Sequence, residues 1–294
     1  MVTVFYRGSH CNGNDRVPKN IIKSVFPNGE VQFNRCHYAA DKYFIDMIYE
    51  SNSDIFNALL YKKYIDDVAC IDTREVYLRM NFCPYGQADR DFSSASFGTF
   101  KYFAKLINEA NFTRVIIIDP HSDVMASTLD RCAVNYTIRN FNREGYDLLF
   151  YPDAGAAKKY SEIINDTHYI VGNKKRNLED GSIIKYEILA DKSDVEGKSI
   201  LIVDDLVVRG GTYKYAAKAL KELGAKQIDL FITHVMASAK EFWTEGYKEC
   251  GIDNVYTSNT LKLDWATNFY DIDGKDTMKK KVAHINKLIE EGVL

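Results

Sequence analysis

The stretch SILIVDDLVVRGGTY, Ser199 to Tyr213, carries an apolar, β-branched run into two adjacent aspartates and then into a glycine pair closed by a threonine. Gly210 and Gly211 permit close backbone approach, and Thr212 supplies a hydroxyl and an expected helix N-cap. Such a turn presents backbone N–H groups at the positive end of a helix, a cradle for a phosphate-sized anion. Ionised carboxylates only accept hydrogen bonds, so Asp204 and Asp205 match the two O–H donors of a vicinal diol. A ribose 5-phosphate ester satisfies both halves. Taken alone, the stretch also reads as an acidic turn beside a helix cap.

Four further runs share this grammar: RVIIIDPHSD (114–123), YDLLFYPDAG (146–155), THYIVGNKKR (167–176) and QIDLFITHVMAS (227–238). Each is a short apolar strand followed by acids, His, small polar residues or a basic cluster. Helical periodicity is expected over 97–111, 156–166 and 212–226, the last stopped at Gly224. Strand and helix alternate, which predicts an α/β fold of mainly parallel sheets flanked by helices, with ligands gathered beyond the carboxyl ends of the strands. Asp119, His121, Asp153, Lys174, Arg176, Asp204 and Asp205 all follow such runs and are the candidates for chemistry. Two halves of similar architecture are expected, 1–145 and 146–294, with the junction near Arg143 to Tyr146.

The 294 residues are 46% hydrophobic, ample for a core, and 27% charged with a formal net charge of −3. No global field points to nucleic acid or an anionic membrane, so an anion site must be local. The six cysteines are scattered, without metal or disulfide spacing, which fits a reducing compartment. No basic leader followed by an apolar segment begins the sequence, and a soluble cytoplasmic protein is expected.

The strand-DD-x-x-x-x-G-G-T pattern resembles the phosphoribosyl-binding loop of type I phosphoribosyltransferases and of phosphoribosyl pyrophosphate synthetases, the ribose-phosphate pyrophosphokinases. Other segments resemble the synthetases in family order: FPNGE (26–30) the adenine-binding segment, PYGQADR (84–90) the ATP loop, IDPHSD (118–123) the metal-binding histidine loop. PDAGAAKK (152–159) resembles the second metal loop, KKR (174–176) the root of the catalytic flexible loop, and YTSNT (256–260) the C-terminal strand.

The resemblance implies two tandem phosphoribosyltransferase-like domains and a reaction in which the β,γ-diphosphate of ATP passes to the anomeric hydroxyl of a 5-phosphorylated ribose, releasing AMP. ATP is then the co-substrate and Mg2+ the cofactor, with His121 and Asp153 as metal residues and Asp119 and Asp123 behind them. Lys174 and Arg176 would close over the reacting phosphates as part of a mobile lid. Asp204 and Asp205 would grip the ribose hydroxyls, and Arg209, Gly210, Gly211 and Thr212 the 5-phosphate. Phe26, Asn28 and Glu30 would bind adenine, with Phe26 reaching in from a neighbouring subunit, so a homo-oligomer, dimer or hexamer, is implied. Gln87, Asp89 and Arg90 fall in the ATP loop. His234 matches a family histidine without an assigned role.

The sequence departs from the family in two places. Val208 and Arg209 stand where the synthetase loop carries an acid and a threonine, which exchanges a negative for a positive charge beside the phosphate site. An added cation suits a ligand with more negative charge, such as the 5-diphosphate ester ADP-ribose. Phage synthetases that pyrophosphorylate ADP-ribose for NAD resynthesis are the branch this departure resembles, in which case the compartment is the host cytoplasm. Gln87 and Ala88 replace an expected Arg and Gln, leaving Arg90 as the cation of that loop. Ribose 5-phosphate remains the alternative acceptor, and a non-catalytic regulatory relative or a base-transferring phosphoribosyltransferase the alternative functions.

Overall fold

The computed structural model describes residues 2–7, 23–28, 30–33, 40–68, 74–91, 95–176, 183–263, 265 and 269–270. These fall into two compact units divided between Asn135 and Tyr136. Both are α/β, with mainly parallel sheets flanked by helices, as the alternation of apolar runs predicts.

The first unit contains β1 (Val2–Arg7), the hairpin strands β2 (Lys23–Val25) and β3 (Val31–Phe33), β4 (Lys42–Met47), α1 (Asn52–Val68), β5 (Glu75–Met80), α2 (Phe100–Glu109), β6 (Arg114–Ile118), α3 (Asp123–Thr128) and β7 (Cys132–Asn135). Its main sheet runs β1-β4-β5-β6-β7, antiparallel at β1 and parallel elsewhere. Alternate residues Ile45, Met47, Leu78, Met80, Val115 and Ile117 pack into one cluster with the buried stripe of α2. That stripe, Phe100, Phe103, Ala104 and Ile107, follows the i, i+3, i+4, i+7 spacing of a core-facing helix. On the opposite sheet face Phe44 stacks on Tyr77 at 4.9 Å, and Arg79 Nε donates to Asp46 Oδ1 at 2.7 Å.

The second unit contains β8 (Leu148–Tyr151), α4 (Ala154–Ile164), β9 (Tyr169–Arg176), β10 (Ile183–Ile188), α5 (Lys192–Val195), β11 (Ser199–Val207), α6 (Gly211–Glu222), β12 (Gln227–Val235), α7 (Tyr247–Glu249), β13 (Asn254–Ser258) and β14 (Phe269–Tyr270). The sheet order is β10-β9-β8-β11-β12-β13-β14, with only β10 antiparallel. From β8 the chain winds outward to β9; from β11 it winds the other way, to β12 and β13. The winding therefore reverses between β8 and β11, and α4 and α6 lie on opposite faces. Leu201 and Val203 pack with Ala156 and Tyr160 of α4, whereas Ile200 and Ile202 pack with Ala216 and Leu220 of α6. A reversal of this kind opens a crevice at the carboxyl ends of the two central strands, where doubly wound folds bind their ligands.

Three details differ from the sequence-based expectation. The division between units precedes the expected 145/146 boundary because 136–141 belong to the second core: Ile138 is fully buried, Phe141 lies 4.8 Å from Phe231, and Thr137 Oγ1 hydrogen-bonds Thr233 Oγ1 at 2.9 Å. The helix expected over 212–226 is α6, which ends at Glu222. The Gly224 and Ala225 N–H groups donate back to the carbonyls of Lys221 and Leu220 at 2.9 and 3.0 Å, the Schellman pattern that terminates a helix. The N-cap of α6 is Gly210, not Thr212, which lies within the first turn.

Replacing Ile138 by Ala should therefore cost about 2–5 kcal/mol, because it removes a fully buried side chain from a packed cluster. Denaturant unfolding of the full chain measures this; a loss below about 0.5 kcal/mol, the range of a surface change, would contradict the placement of 136–141 in the second core.

Candidate active site

The site is built at the winding reversal of the second sheet. Strand β8 ends at Tyr151, and Asp153 caps α4, its Oδ1 accepting the Ala156 N–H at 2.9 Å. Its other oxygen, Oδ2, takes the Lys174 ammonium at 2.5 Å. Burial opposes ionisation of Asp153, but Lys174 and the Ala156 and Gly155 N–H groups hold its carboxyl below the usual carboxylate range.

Lys174 and Arg176 were expected beyond the strand, at the root of a lid. Strand β9 instead continues through both, because β10 pairs with it antiparallel, Tyr186 opposite Lys174 and Ile183 opposite Arg176. Ile183 to Glu187 are thus strand residues; 177–182 and the Arg176 side chain lie outside the described residues. The hairpin is pinned over the end of β8 by Tyr186, whose hydroxyl donates to the Pro152 carbonyl at 3.1 Å. Gly172 makes that crossing possible, since a Cβ there would stand 2.2 Å from the Tyr186 oxygen.

Asp204 and Asp205 likewise lie within β11 rather than after it. Strand alternation sends their Cβ atoms to opposite faces of the sheet. On the α6 face, Asp204 Oδ2 is 2.9 Å from the Tyr213 hydroxyl, which is also 2.8 Å from the Leu206 carbonyl. On the α4 face, Asp205 Oδ2 pairs with the Lys159 ammonium at 3.4 Å, with both side chains largely buried. The Asp205 N–H donates to Asp204 Oδ1 at 2.9 Å. Burial, then the charge of Asp205 and a hydrogen bond from it, then Asp153, push the Asp204 carboxyl well above the usual range, against the pull of Lys159. Three carboxyls thus face two ammonium groups, and a proton retained on Asp204 brings the cluster into balance.

Lys159 and Tyr213 escaped the sequence reading, although each carried a signal. Lys159 sits three residues beyond the buried Ala156 of α4, on its core-facing side. Tyr213 begins the buried stripe Tyr213, Ala216, Ala217, Leu220, and a tyrosine hydroxyl on such a stripe needs a polar partner.

The loop between β11 and α6 is fixed from beneath. Ser238 Oγ donates to the Val208 carbonyl at 2.6 Å. Gly210 adopts φ 84°, and a Cβ there would stand 2.1 Å from the Phe242 ring. Gly211 is different: a Cβ added there meets nothing within 4 Å, and its φ is not left-handed. Arg209 is exposed and makes no ion pair among the described residues. His234, within β12, is buried, with Nδ1 2.8 Å from Thr260 Oγ1.

In the first unit the structure brings together the loops after β5 and β6. Asp89, 3% exposed at its side chain, accepts a short hydrogen bond from Ser122 and a bidentate pair from Arg90, Nε to Oδ1 and an Nη to Oδ2, each at 3.0 Å. Arg90, the remaining cation of the expected ATP loop, is thus tied to its own neighbour. Burial opposes ionisation of Asp89, but Arg90, Ser122 and the charge of His121 hold its carboxyl below the usual range. His121 is exposed, next to Ser122, which precedes α3 as its N-cap, with Asp123 in the first turn. Gln87 lies in a single 3₁₀ turn, Gly86–Ala88. Tyr85 and the fully buried Asp119 hold left-handed backbone at φ 63° and 43° in these two loops. Such strain, of order 1–3 kcal/mol each, concentrates at functional loops. Phe26, Asn28 and Glu30 form the turn of the β2–β3 hairpin, where Asn28 Oδ1 accepts the Glu30 N–H at 3.1 Å and Phe26 is 46% exposed.

The second unit carries the domain class that this geometry defines: residues 157–264 match the phosphoribosyl transferase domain. The chain is 30% identical to a ribose-phosphate pyrophosphokinase of Marinomonas sp. over 61% of its own length and 58% of that relative. Similar enzymes from Corynebacterium efficiens and Nostoc sp. are each 26% identical, covering 80% and 85% of this chain and 75% and 77% of theirs. The crystal structure of phosphoribosylpyrophosphate synthetase from Mycobacterium smegmatis shares the fold, with a TM-score of 0.68 over 92% of this chain and 90% of that one at 20% identity. Over most of its length the chain is thus similar to enzymes named ribose-phosphate pyrophosphokinase, which are transferases.

Two outcomes follow. Gly210→Ala should lower thermal stability by about 2 kcal/mol or more through the Phe242 clash and its positive φ, while Gly211→Ala should leave it within about 0.5 kcal/mol. Equal melting shifts for the two would contradict the loop geometry. The depressed Asp89 carboxyl contributes stability that is present above the unfolded value near 3.9 and is lost as pH falls through its lower folded value. Unfolding curves of wild type and Asp89→Asn should accordingly converge below about pH 3.9; a constant gap down to pH 2 would contradict the pairing.

Proposed function

We propose that this protein is an ATP-dependent pyrophosphokinase that transfers the β,γ-diphosphate of ATP to the anomeric hydroxyl of a 5-phosphorylated ribose. That hydroxyl attacks the β-phosphorus, the bond from this phosphorus to the α,β-bridging oxygen breaks, and AMP departs. The observation that carries the reading is the gathering of Asp204, Asp205, Asp153 and Lys174 at the winding reversal of a phosphoribosyl transferase-type sheet. Chemistry of this kind is mainly positioning and neutralisation of charge on the transferred group. The acid pair receives the ribose hydroxyls, the turn from Arg209 to Thr212 receives the 5-phosphate, and Lys174, with Arg176, meets the phosphates of ATP.

Among the described residues no three His, Cys, Asp or Glu gather as a metal-holding group, and magnesium is assigned to Asp153 and to His121 as single ligands, each on its own unit. A carboxylate oxygen of Asp153 retains a lone pair beyond its bond to Lys174, and His121 is accessible. A magnesium ion held by so few protein groups takes its other ligands from phosphates and water and neutralises their charge. Adenine is assigned to Phe26, Asn28 and Glu30, with Gln87, Asp89 and Arg90 as the ATP loop. The exposure of Phe26 at a hairpin tip supports its insertion into a neighbouring copy of a homo-oligomer. Among the described residues no helix is long and apolar enough to cross a membrane, in keeping with a cytoplasmic site of action.

Arg209 supports ADP-ribose as the acceptor, because an exposed guanidinium with no ion pair among the described residues stands beside the phosphate turn and matches a second phosphate. The names of the similar enzymes support ribose 5-phosphate. Retention of Lys174 and of both aspartates argues against a regulatory relative.

Incubation with ATP, magnesium and either ribose 5-phosphate or ADP-ribose, with products identified by mass, should give AMP and an acceptor heavier by one diphosphate. No AMP with either acceptor would reject the reading. Lys174→Ala should reduce turnover about 10²- to 10³-fold, as for other groups that stabilise developing charge. Arg209→Ala should lower the conversion of ADP-ribose more than that of ribose 5-phosphate; equal effects would return the acceptor to ribose 5-phosphate.

A further inference from the structure

The two aspartates point to opposite faces of the sheet, yet a vicinal diol presents its hydroxyls on one side of a small ring. Each carboxyl is held by a side chain from the helix on its own face. Asp204 is bound by the Tyr213 hydroxyl of α6 at 2.9 Å, and Asp205 by the Lys159 ammonium of α4 at 3.4 Å. Each anchor is itself held. The Tyr213 oxygen is 2.8 Å from the Leu206 carbonyl, and its ring lies 5.9 Å from Phe242. Lys159 sits 5.1 Å from the centre of the Tyr160 ring, and its side chain is only 11% exposed.

We propose that Lys159 and Tyr213 form a two-sided clamp that orients the Asp205 and Asp204 carboxyls toward the 2- and 3-hydroxyls of the ribosyl acceptor, making them positioning residues that confer selection for ribose over 2-deoxyribose. This deepens the function proposed above and rests on its assignment of the acid pair to ribose. A long charged side chain nearly removed from water costs rotamer freedom and desolvation, so a lysine here must repay that with a specific partner. Lys159 has one in Asp205. Free of the ammonium, the Asp205 carboxylate would lose both its counter-charge and its fixed direction. With the clamp intact, a sugar that lacks one hydroxyl leaves a carboxylate unsatisfied in a partly dry site, which disfavours it.

Titration calorimetry with ribose 5-phosphate and with 2-deoxyribose 5-phosphate tests the clamp without requiring turnover, and AMP release is assayed on the same preparations. Wild type should bind the ribose form at least about tenfold more tightly, the scale of one charge-assisted hydrogen bond. Lys159→Met should weaken ribose 5-phosphate binding on the order of tenfold while leaving 2-deoxyribose 5-phosphate nearly unchanged, so that the preference collapses. Lys159→Arg should restore most of it, and Tyr213→Phe, which keeps the ring in the core, should weaken both sugars alike without unfolding the protein, because both carry the 3-hydroxyl. A merely structural role for Lys159 would weaken both sugars equally. Equal affinity of wild type for both sugars, an unchanged preference in folded Lys159→Met, or unchanged binding of both sugars in folded Tyr213→Phe would overturn the clamp. The expected changes in binding without AMP release by wild type would uphold the clamp and reject diphosphoryl transfer; AMP release with an unchanged preference in Lys159→Met would do the reverse.

Discussion

Two carboxyls on adjacent residues at the end of a buried strand cannot both be ionised without help, and much of the second unit is arranged around that constraint. Asp204 and Asp205 stand where the sheet reverses its winding, so water that would screen their repulsion is largely displaced by protein. The fold answers from both faces: a phenol hydroxyl from α6, an ammonium from α4, and the backbone N–H of Asp205 itself. Even so the Asp204 carboxyl stays well above its usual range. On the proposed function, a diol that donates two hydrogen bonds would stabilise the fully ionised pair, and a diphosphate brought next to it would have to be met by cations. Lys174 is already there, held on Asp153.

The loops on this unit are held in different ways. The turn after β11 is locked on Phe242 and Ser238. Lys174 instead rides on the part of β9 that runs beyond its pairing with β8, opposite Tyr186 of the edge strand β10, an arrangement whose local opening costs less than opening of the central strands. In the first unit, strain takes the place of charge. Tyr85 and Asp119 hold left-handed backbone in loops that the Asp89, Ser122 and Arg90 hydrogen bonds fasten to each other.

Much of this was legible in the amino-acid sequence. Apolar runs interrupted by amphipathic helices specify parallel sheets, and the candidate residues lie near the carboxyl ends of β5 and β6 in the first unit and of β8, β9 and β11 in the second. What was misread concerns endings. Lys174, Asp204 and Asp205 were expected in loops because polar residues commonly end a strand; pairing with β10 and β12 carried the strands through them. Thr212 has a capping side chain, but the left-handed turn demanded at Gly210 placed the cap two residues earlier. Lys159 and Tyr213 were passed over because a lysine and a tyrosine on a helix read as surface and core, and their partners lie forty or more residues away or on the preceding strand, a relation that only the three-dimensional pairing reveals. The boundary at 136 was hidden for the same reason, since Ile138 and Phe141 find their partner Phe231 far along the chain.

The central claim is that the acid pair at the end of β11 holds a ribosyl diol while the following turn holds its phosphate. A crystal structure of the protein grown with ribose 5-phosphate addresses it directly. The account places the 2- and 3-hydroxyls within hydrogen-bond distance of Asp204 and Asp205, and the phosphate against the backbone N–H groups between Arg209 and Thr212. A sugar bound elsewhere, or in this crevice with its hydroxyls turned away from both carboxyls, would contradict it.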